Sequence, residues 1–201
     1  MRDKEATRAK ILRAAENVFA EKGYYESLVD EIAEGSRTSK GAIYFHFPSK
    51  EQLFASLMER LAKSLLQEVE DSIAQQTGAM AKVQVALEAV MKNLLKRRRL
   101  AQILLVQSLF NPAFVRKRLE VFDQFAQLIQ RYLEEAIKEG SITPVDSGVV
   151  AHAWLGAIHE LVVRWLYAGE PPLERALPAL TQLFLSGIGV DARERARTRK
   201  R

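Results

Sequence analysis

Apolar residues recur along this chain every three or four positions, and no stretch alternates apolar and polar residues as a strand does, so the pattern predicts an all-α fold. Ile11, Leu12, Ala15, Val18 and Phe19 form the first stripe, predicting an amphipathic helix over 3–22 that Lys22-Gly23 ends with a cation and a glycine. A short helix through Val29, Ile32 and Ala33 follows, with Ser27 as its expected N-cap and Asp30 as a shortened capping-box partner. Gly35-Ser36-Arg37 breaks that helix, Thr38 is placed to cap the next, and Pro48 closes it. Ser49 and Gln52 open a long helix through Leu53, Phe54, Leu57, Met58, Leu61, Leu65 and Leu66 to about Gln76.

The same period continues downstream. Residues 80–95 turn Val83, Leu87, Val90, Met91 and Leu94 inward; Ile103, Leu104, Val106 and Leu109 continue as a helix to Asn111-Pro112. A long helix then takes in Val115, Leu119, Phe122, Phe125, Ala126, Ile129, Leu133 and Ile137 and stops at Gly140. From Ser147 to Ala168, and from Leu173 to about Gly189, apolar residues cover more than one face, so both helices need burial on two sides. About nine helices are expected, arranged as a three-helix helix-turn-helix domain over 1–47, a larger helical domain over 48–190 and a tail over 191–201.

One stretch departs from the amphipathic pattern. Between Thr38 and Phe47 only Ile43 and Phe47 keep the core spacing, while Ser39, Lys40, Tyr44 and His46 occupy the other face. Hydroxyls, an ammonium and an imidazole are groups that bond phosphate oxygens or base edges. Two short helices joined by a tight turn with a third behind them make a helix-turn-helix, whose second helix enters the major groove.

Charge refines this reading. The net charge is +5, but residues 191–201 hold six Lys/Arg against Asp191 and Glu194, so the rest of the chain is nearly neutral. Arg37 to Lys50 contains three basic residues and no acidic one, which confines any positive field to the suspected reading helix. Arg2, Lys4 and Arg8 are either a solvated helix start or a basic arm on a DNA backbone. The tail is expected to be disordered and solvated. With 48% apolar residues the chain can bury a core of its own, and without cysteine it has neither a disulfide framework nor a thiolate site. No run is apolar enough for a signal peptide or a membrane span, so a soluble cytoplasmic protein is expected, without membrane partners.

An enzyme is not indicated. The three histidines are His46, His152 and His159. His152 and His159 lie seven residues apart, about 10.5 Å along a helix, too far to share one metal. There is no Gly-rich phosphate loop and no nucleophile motif. No catalytic residue, metal or cofactor is assigned.

Gly23-Tyr24, Ser27, Val29, Ile32-Ala33, Ser39-Lys40-Gly41, Ile43-Tyr44, His46-Phe47 and Ser49-Lys50-Glu51-Gln52-Leu53 resemble, in order and spacing, the N-terminal domain of the TetR family of bacterial transcriptional regulators. The resemblance implies a homodimer on a near-palindromic double-stranded operator, with Ser27, Thr38, Ser39, Lys40, Ala42, Tyr44, His46 and Lys50 at the DNA. The family usually has Ala-Gly-Val where this chain has Ser36-Arg37-Thr38. If the turn needs a positive φ, arginine there is strained by about 1 kcal/mol, and Arg37 either alters the turn or adds a phosphate contact.

The resemblance also implies a ligand cavity among the middle helices and pairing of the last two helices with their mates, for which Leu155, Ile158, Val162, Leu177, Leu180 and Phe184 are the expected contacts. Inward Leu, Val, Phe and Met favour a small apolar or acyl effector. Asn111-Pro112, Phe114, Gly140, Asp146, Gly156 and Trp165 are similar to members that sense fatty acyl-CoA. On that reading Phe122, Phe125, His152 and His159 face the ligand. Arg97 and Arg98, or Arg99, Arg116, Lys117 and Arg118, meet its anionic head. The rival reading is a helical lipid-binding carrier with no regulatory role.

Overall fold

The structure, a computed structural model, describes residues 2–96, 98–106 and 112–189. Every regular element among them is helical: α1 (Arg2–Glu26), α2 (Val29–Ser36), α3 (Lys40–His46), α4 (Lys50–Ile73), α5 (Ala79–Lys96), α6 (Arg98–Ala101) continued by a π-helical turn (Gln102–Val106), α7 (Pro112–Lys138), α8 (Ser147–Ala168) and α9 (Leu173–Gly187). The first helix breaks where the sequence says it should. Gly23 has φ 80° and ψ 172°, outside helical values, and the chain regains one helical turn before α2.

The chain forms two compact units, Met1–Lys63 with Arg98–Glu120 and Ser64–Arg97 with Val121–Arg201. The unit holding the helix-turn-helix therefore extends past the expected boundary at residue 47 and recruits a distant segment. Its core is Ile11, Leu12 and Phe19 of α1, Ile32 of α2, Ile43 and Phe47 around α3, and Leu53, Phe54, Leu57 and Met58 of α4, all nearly inaccessible. Phe114 of α7 completes it. Its ring lies 4.6 Å from that of Phe54 and 4.9 Å from that of Tyr24, and Phe54 in turn meets Phe19 edge-on at 5.1 Å. Edge-to-face and tilted rings at these separations are the favoured aromatic arrangements. A residue far from the reading helix in sequence is thus a wedge in its foundation.

In the second unit Leu65, Val69 and Ile73 of α4, Val83, Leu87, Met91 and Leu94 of α5, and Phe125, Leu128 and Leu133 of α7 are buried. Polar contacts set the ends: the Ala79 N–H donates to Glu139 at 3.1 Å, and Lys82 pairs with Glu135 at 3.2 Å. Gly140, at φ 69°, ends α7, and the Asp146 carboxylate caps α8 by accepting from the Val149 N–H at 3.0 Å. Trp154 of α8 stacks on Phe184 of α9 at 4.6 Å. Gly140, Asp146 and Phe114, grouped by the sequence as ligand-associated, hold the fold together.

Candidate functional site

The α2–α3 turn sets the geometry of the reading head. Arg37 adopts φ 53°, ψ 44°, a left-handed conformation at the end of α2. Two backbone bonds hold it there, Arg37 N–H to Glu34 and Thr38 N–H to Ala33, both 3.0 Å. They satisfy carbonyls that the helix end would leave open. The positive φ expected of this position is present with an arginine in it, and the Arg37 side chain is exposed.

Two neighbouring hydroxyls have also changed roles. Ser36 is buried and donates its single proton to the Ile32 carbonyl at 2.7 Å. Thr38 must therefore be the donor in its 2.8 Å bond to Ser36. Its proton is spent inside the turn, leaving it only as an acceptor. The cap of α3 is Ser39, not Thr38: the Ser39 hydroxyl accepts from the Ala42 N–H at 3.0 Å. Ser27 is corrected as well. It neither caps α2 nor faces solvent, being 1% exposed with its hydroxyl donating to the Tyr24 carbonyl at 2.8 Å. The α2 entrance is instead served by Glu31, which accepts from the Leu28 N–H at 3.0 Å and pairs with Lys22. Asp30 is diverted to Lys40, 2.9 Å away, and that hydrogen bond and charge raise the Lys40 pKa.

On α3, Ile43 and Phe47 face the core, and Tyr44 and Phe45 are exposed while Ala42 and His46 are half-buried. At 100° per residue Phe45 stands ~160° around the axis from Ile43. It occupies the middle of the outward face and is 71% exposed. The sequence reading omitted Phe45, although its place opposite the core pair was there to be counted. Lys50 is placed differently from expectation. Its ammonium donates to the Ser27 and Tyr25 carbonyls at 2.6 and 3.3 Å and lies 4.7 Å from the Tyr24 ring centre. Burial lowers its pKa. It ties α4 to the α1–α2 junction, and its charge is partly spent on the protein itself.

The residues expected at a ligand are not gathered at one place. Arg97 and Asn111 lie outside the described residues. Arg98 is exposed, and Arg99 donates to Asn17 at 3.2 Å. Arg116 and Lys117 both pair with Glu120. Phe125 is buried, and Phe122 meets His159 edge-on at 5.7 Å. His152 is at the surface: its side chain is 62% exposed, bonded to the Gly148 carbonyl at 2.9 Å and 3.7 Å from Asp123. A groove of about 860 Å³ runs between α5 and α9, lined by Val85, Met91, Lys92, Leu177 and Leu185 among others. Of the described ligand candidates above, none is among these lining residues.

The expected dimer contacts are placed mostly inside the protomer. Ile158, Val162, Leu177, Leu180 and Phe184 are buried within their own chain, and Leu155 is half-buried. Trp154 and Phe184 went to the intramolecular side. The outward sides of α8 and α9 carry Val149, Ala153, Gly156, Tyr167, Ala179 and Leu183. Among the described residues no cluster of three metal-ligating side chains occurs, and no helix is long and apolar enough to cross a membrane.

A left-handed turn between two short helices, an exposed polar and aromatic face on the second, and an all-helical remainder define a helix-turn-helix transcriptional regulator. Residues 11–57 match the bacterial regulatory proteins of the tetR family, and residues 57–186 match the C-terminal region of YsiA-like proteins. The chain belongs to the TetR family, whose members are DNA-binding regulators and not enzymes. It is 25% identical over 191 residues to a fatty acid metabolism regulator protein of Bacillus subtilis, covering 94% of this chain and 98% of that one. The solved structure of FadR from Bacillus subtilis in complex with stearoyl-CoA superposes with a TM-score of 0.81 at 25% identity, covering 90% of this chain and 98% of the other. FadR from Bacillus halodurans gives the same TM-score of 0.81 at 24% identity over 89% and 98% of the two chains, a likeness of fold.

Proposed function

We propose that this protein is a homodimeric repressor that binds a near-palindromic operator through α3 and is released by a fatty acyl effector, acyl-CoA in the first instance, controlling genes of fatty acid metabolism. The observation that carries the reading is similarity along nearly the whole chain to a fatty acid metabolism regulator, with 94% of this chain and 98% of the relative aligned. The exposed face of α3 supports the output side, with Ser39, Lys40, Ala42, Tyr44, Phe45 and His46 meeting DNA and Arg37 beside them. Two such helices must reach half-sites about 34–36 Å apart, which requires a dimer. Its contact would use the outward sides of α8 and α9, where small residues such as Ala153 and Gly156 permit close helix approach.

Release needs an effector that binds the DNA-incompetent form more tightly than the competent one, since equal affinity shifts nothing. The test is a mobility shift with purified protein and the DNA upstream of its own gene, titrated with oleoyl-CoA, free coenzyme A and oleate. The expected result is a shifted complex that oleoyl-CoA alone dissociates at micromolar concentration. Failure to retard any of that DNA would favour the carrier reading. Retardation that no acyl compound reverses would replace the acyl effector by a different hydrophobic compound.

A further inference from the structure

The N-terminal turns of α1 run beside α3, and two cations one helical turn apart each stand over a ring of the reading head. Lys4 Nζ is 4.9 Å from the centre of the Phe45 ring, and the Arg8 guanidinium is 5.0 Å from that of Phe47. The two sites are not equivalent. Phe47 is buried and Phe45 is exposed. Arg8 also lies in the field of Glu59, whose carboxylate is held below its ordinary range chiefly by the Lys63 hydrogen bond, with Lys117 and Arg8 adding. Lys4 has no carboxylate within ion-pairing distance among the described residues. Asp3 and Glu5 are its chain neighbours, but adjacent residues on a helix point about 100° apart.

An ammonium at an exposed ring face gains little. That is enough to bias the Lys4 side chain toward α3 and too little to consume its charge. Its three N–H donors stay available, because a ring face accepts them weakly. Phe45 stands at the centre of the outward face of α3, so a cation resting over its ring travels with the reading helix when that helix enters the groove. Beside the groove lie the phosphates, so a cation held against the reading helix is carried toward them.

We infer that Lys4 is a DNA phosphate contact, and that Phe45 is the positioning residue that holds it against the reading helix. The inference rests on the operator-binding reading above. Arg8, whose guanidinium rests over the buried Phe47 ring, is assigned to packing.

Counterion release makes this measurable. Each phosphate contact contributes about 0.9 to the slope of log affinity against log salt, and a homodimer carries two copies of Lys4. Lys4→Ala is therefore expected to lower the slope by about 1.8, so that the affinity lost between 50 and 200 mM salt shrinks by about tenfold relative to wild type. Operator binding is followed by fluorescence anisotropy for wild type, Lys4→Ala, Arg8→Ala, Phe45→Leu and Lys4→Ala/Phe45→Leu, each checked for an unchanged melting profile. In the Phe45→Leu background, removing Lys4 is expected to change the slope by less than half as much. Arg8→Ala is expected to leave the slope in place. An unchanged slope in Lys4→Ala would overturn the phosphate contact. An equal loss in Arg8→Ala would show a diffuse field of the arm instead. A full Lys4 effect without the Phe45 ring would remove the positioning role. If wild type itself fails to bind, the operator-binding reading falls, and that outcome is distinct from the others.

Discussion

Replacing Arg37 by glycine sets the turn's backbone requirement against its side chain. The residue sits at φ 53°, ψ 44°, held by the 3.0 Å bonds Arg37 N–H to Glu34 and Thr38 N–H to Ala33. Neither bond uses the side chain, so both survive the substitution. A left-handed L-residue carries about 1–2 kcal/mol of strain, which glycine relieves. Glycine also widens the unfolded ensemble, which takes back about 0.4–1 kcal/mol. Arg37→Gly should therefore stabilise the protein by about 0.5–1 kcal/mol, or ~1–4 °C in Tm for a chain of this size. Melts must be run at one fixed protein concentration, because dimerisation adds its own stability. A loss of stability would refute the reasoning, showing that the arginine side chain supports the turn more than its backbone strains it. The same variant bears on DNA. If the exposed guanidinium meets a phosphate, the salt slope falls by about 1.8 per dimer even as stability rises, and an unchanged slope excludes the contact.

Phe114→Ala removes a fully buried ring from the Tyr24–Phe54 cluster and should cost about 3–5 kcal/mol, measured by urea unfolding, with loss of operator binding. A neutral result would mean that α7 does not anchor the reading head. Lys50→Met keeps the stem but loses the bonds to Ser27 and Tyr25, so unfolding should become easier by about 1.5–3 kcal/mol; weaker DNA binding at unchanged stability would instead make Lys50 a pure DNA contact. On the last two helices, Leu183→Arg should give a folded monomer by analytical ultracentrifugation, whereas Phe184→Ala should destabilise the protomer; the reverse pattern would restore the original interface residues. Glu51 is held below the usual carboxylate range by its own backbone N–H, then by Tyr24 and Ser49. Its contribution is present above the unfolded pKa of about 4.3 and disappears as pH falls through the lower folded value, so Tyr24→Phe should flatten the acid side of the stability curve.

The sequence by itself determined the helices, the helix-turn-helix and the family. Those follow from local rules: a 3.6-residue apolar period, glycine at Gly23 and Gly140, proline after α3, and the Ser49 cap of α4, each acting within a few residues of itself. The positive φ at position 37 was raised only as a condition, through the glycine that the resembling family has where this chain has arginine. What the sequence left open depends on partners distant along the chain. That Ser27 turns inward, that Lys50 bonds the α1–α2 junction, and that Phe114 wedges beneath the reading head are decided by packing between α1, α4 and α7. Periodicity marked α8 and α9 as two-sided but could not say which side is internal. Burial within the chain took Ile158, Val162 and Phe184 and left Val149, Tyr167 and Leu183 outward with small residues such as Ala153 and Gly156, because a close-packed interior accepts whichever set of side chains fills it. Phe45 was the reverse case: its place on the wheel was countable from the sequence, but only the tertiary structure put Lys4 over it and left the ring uncovered.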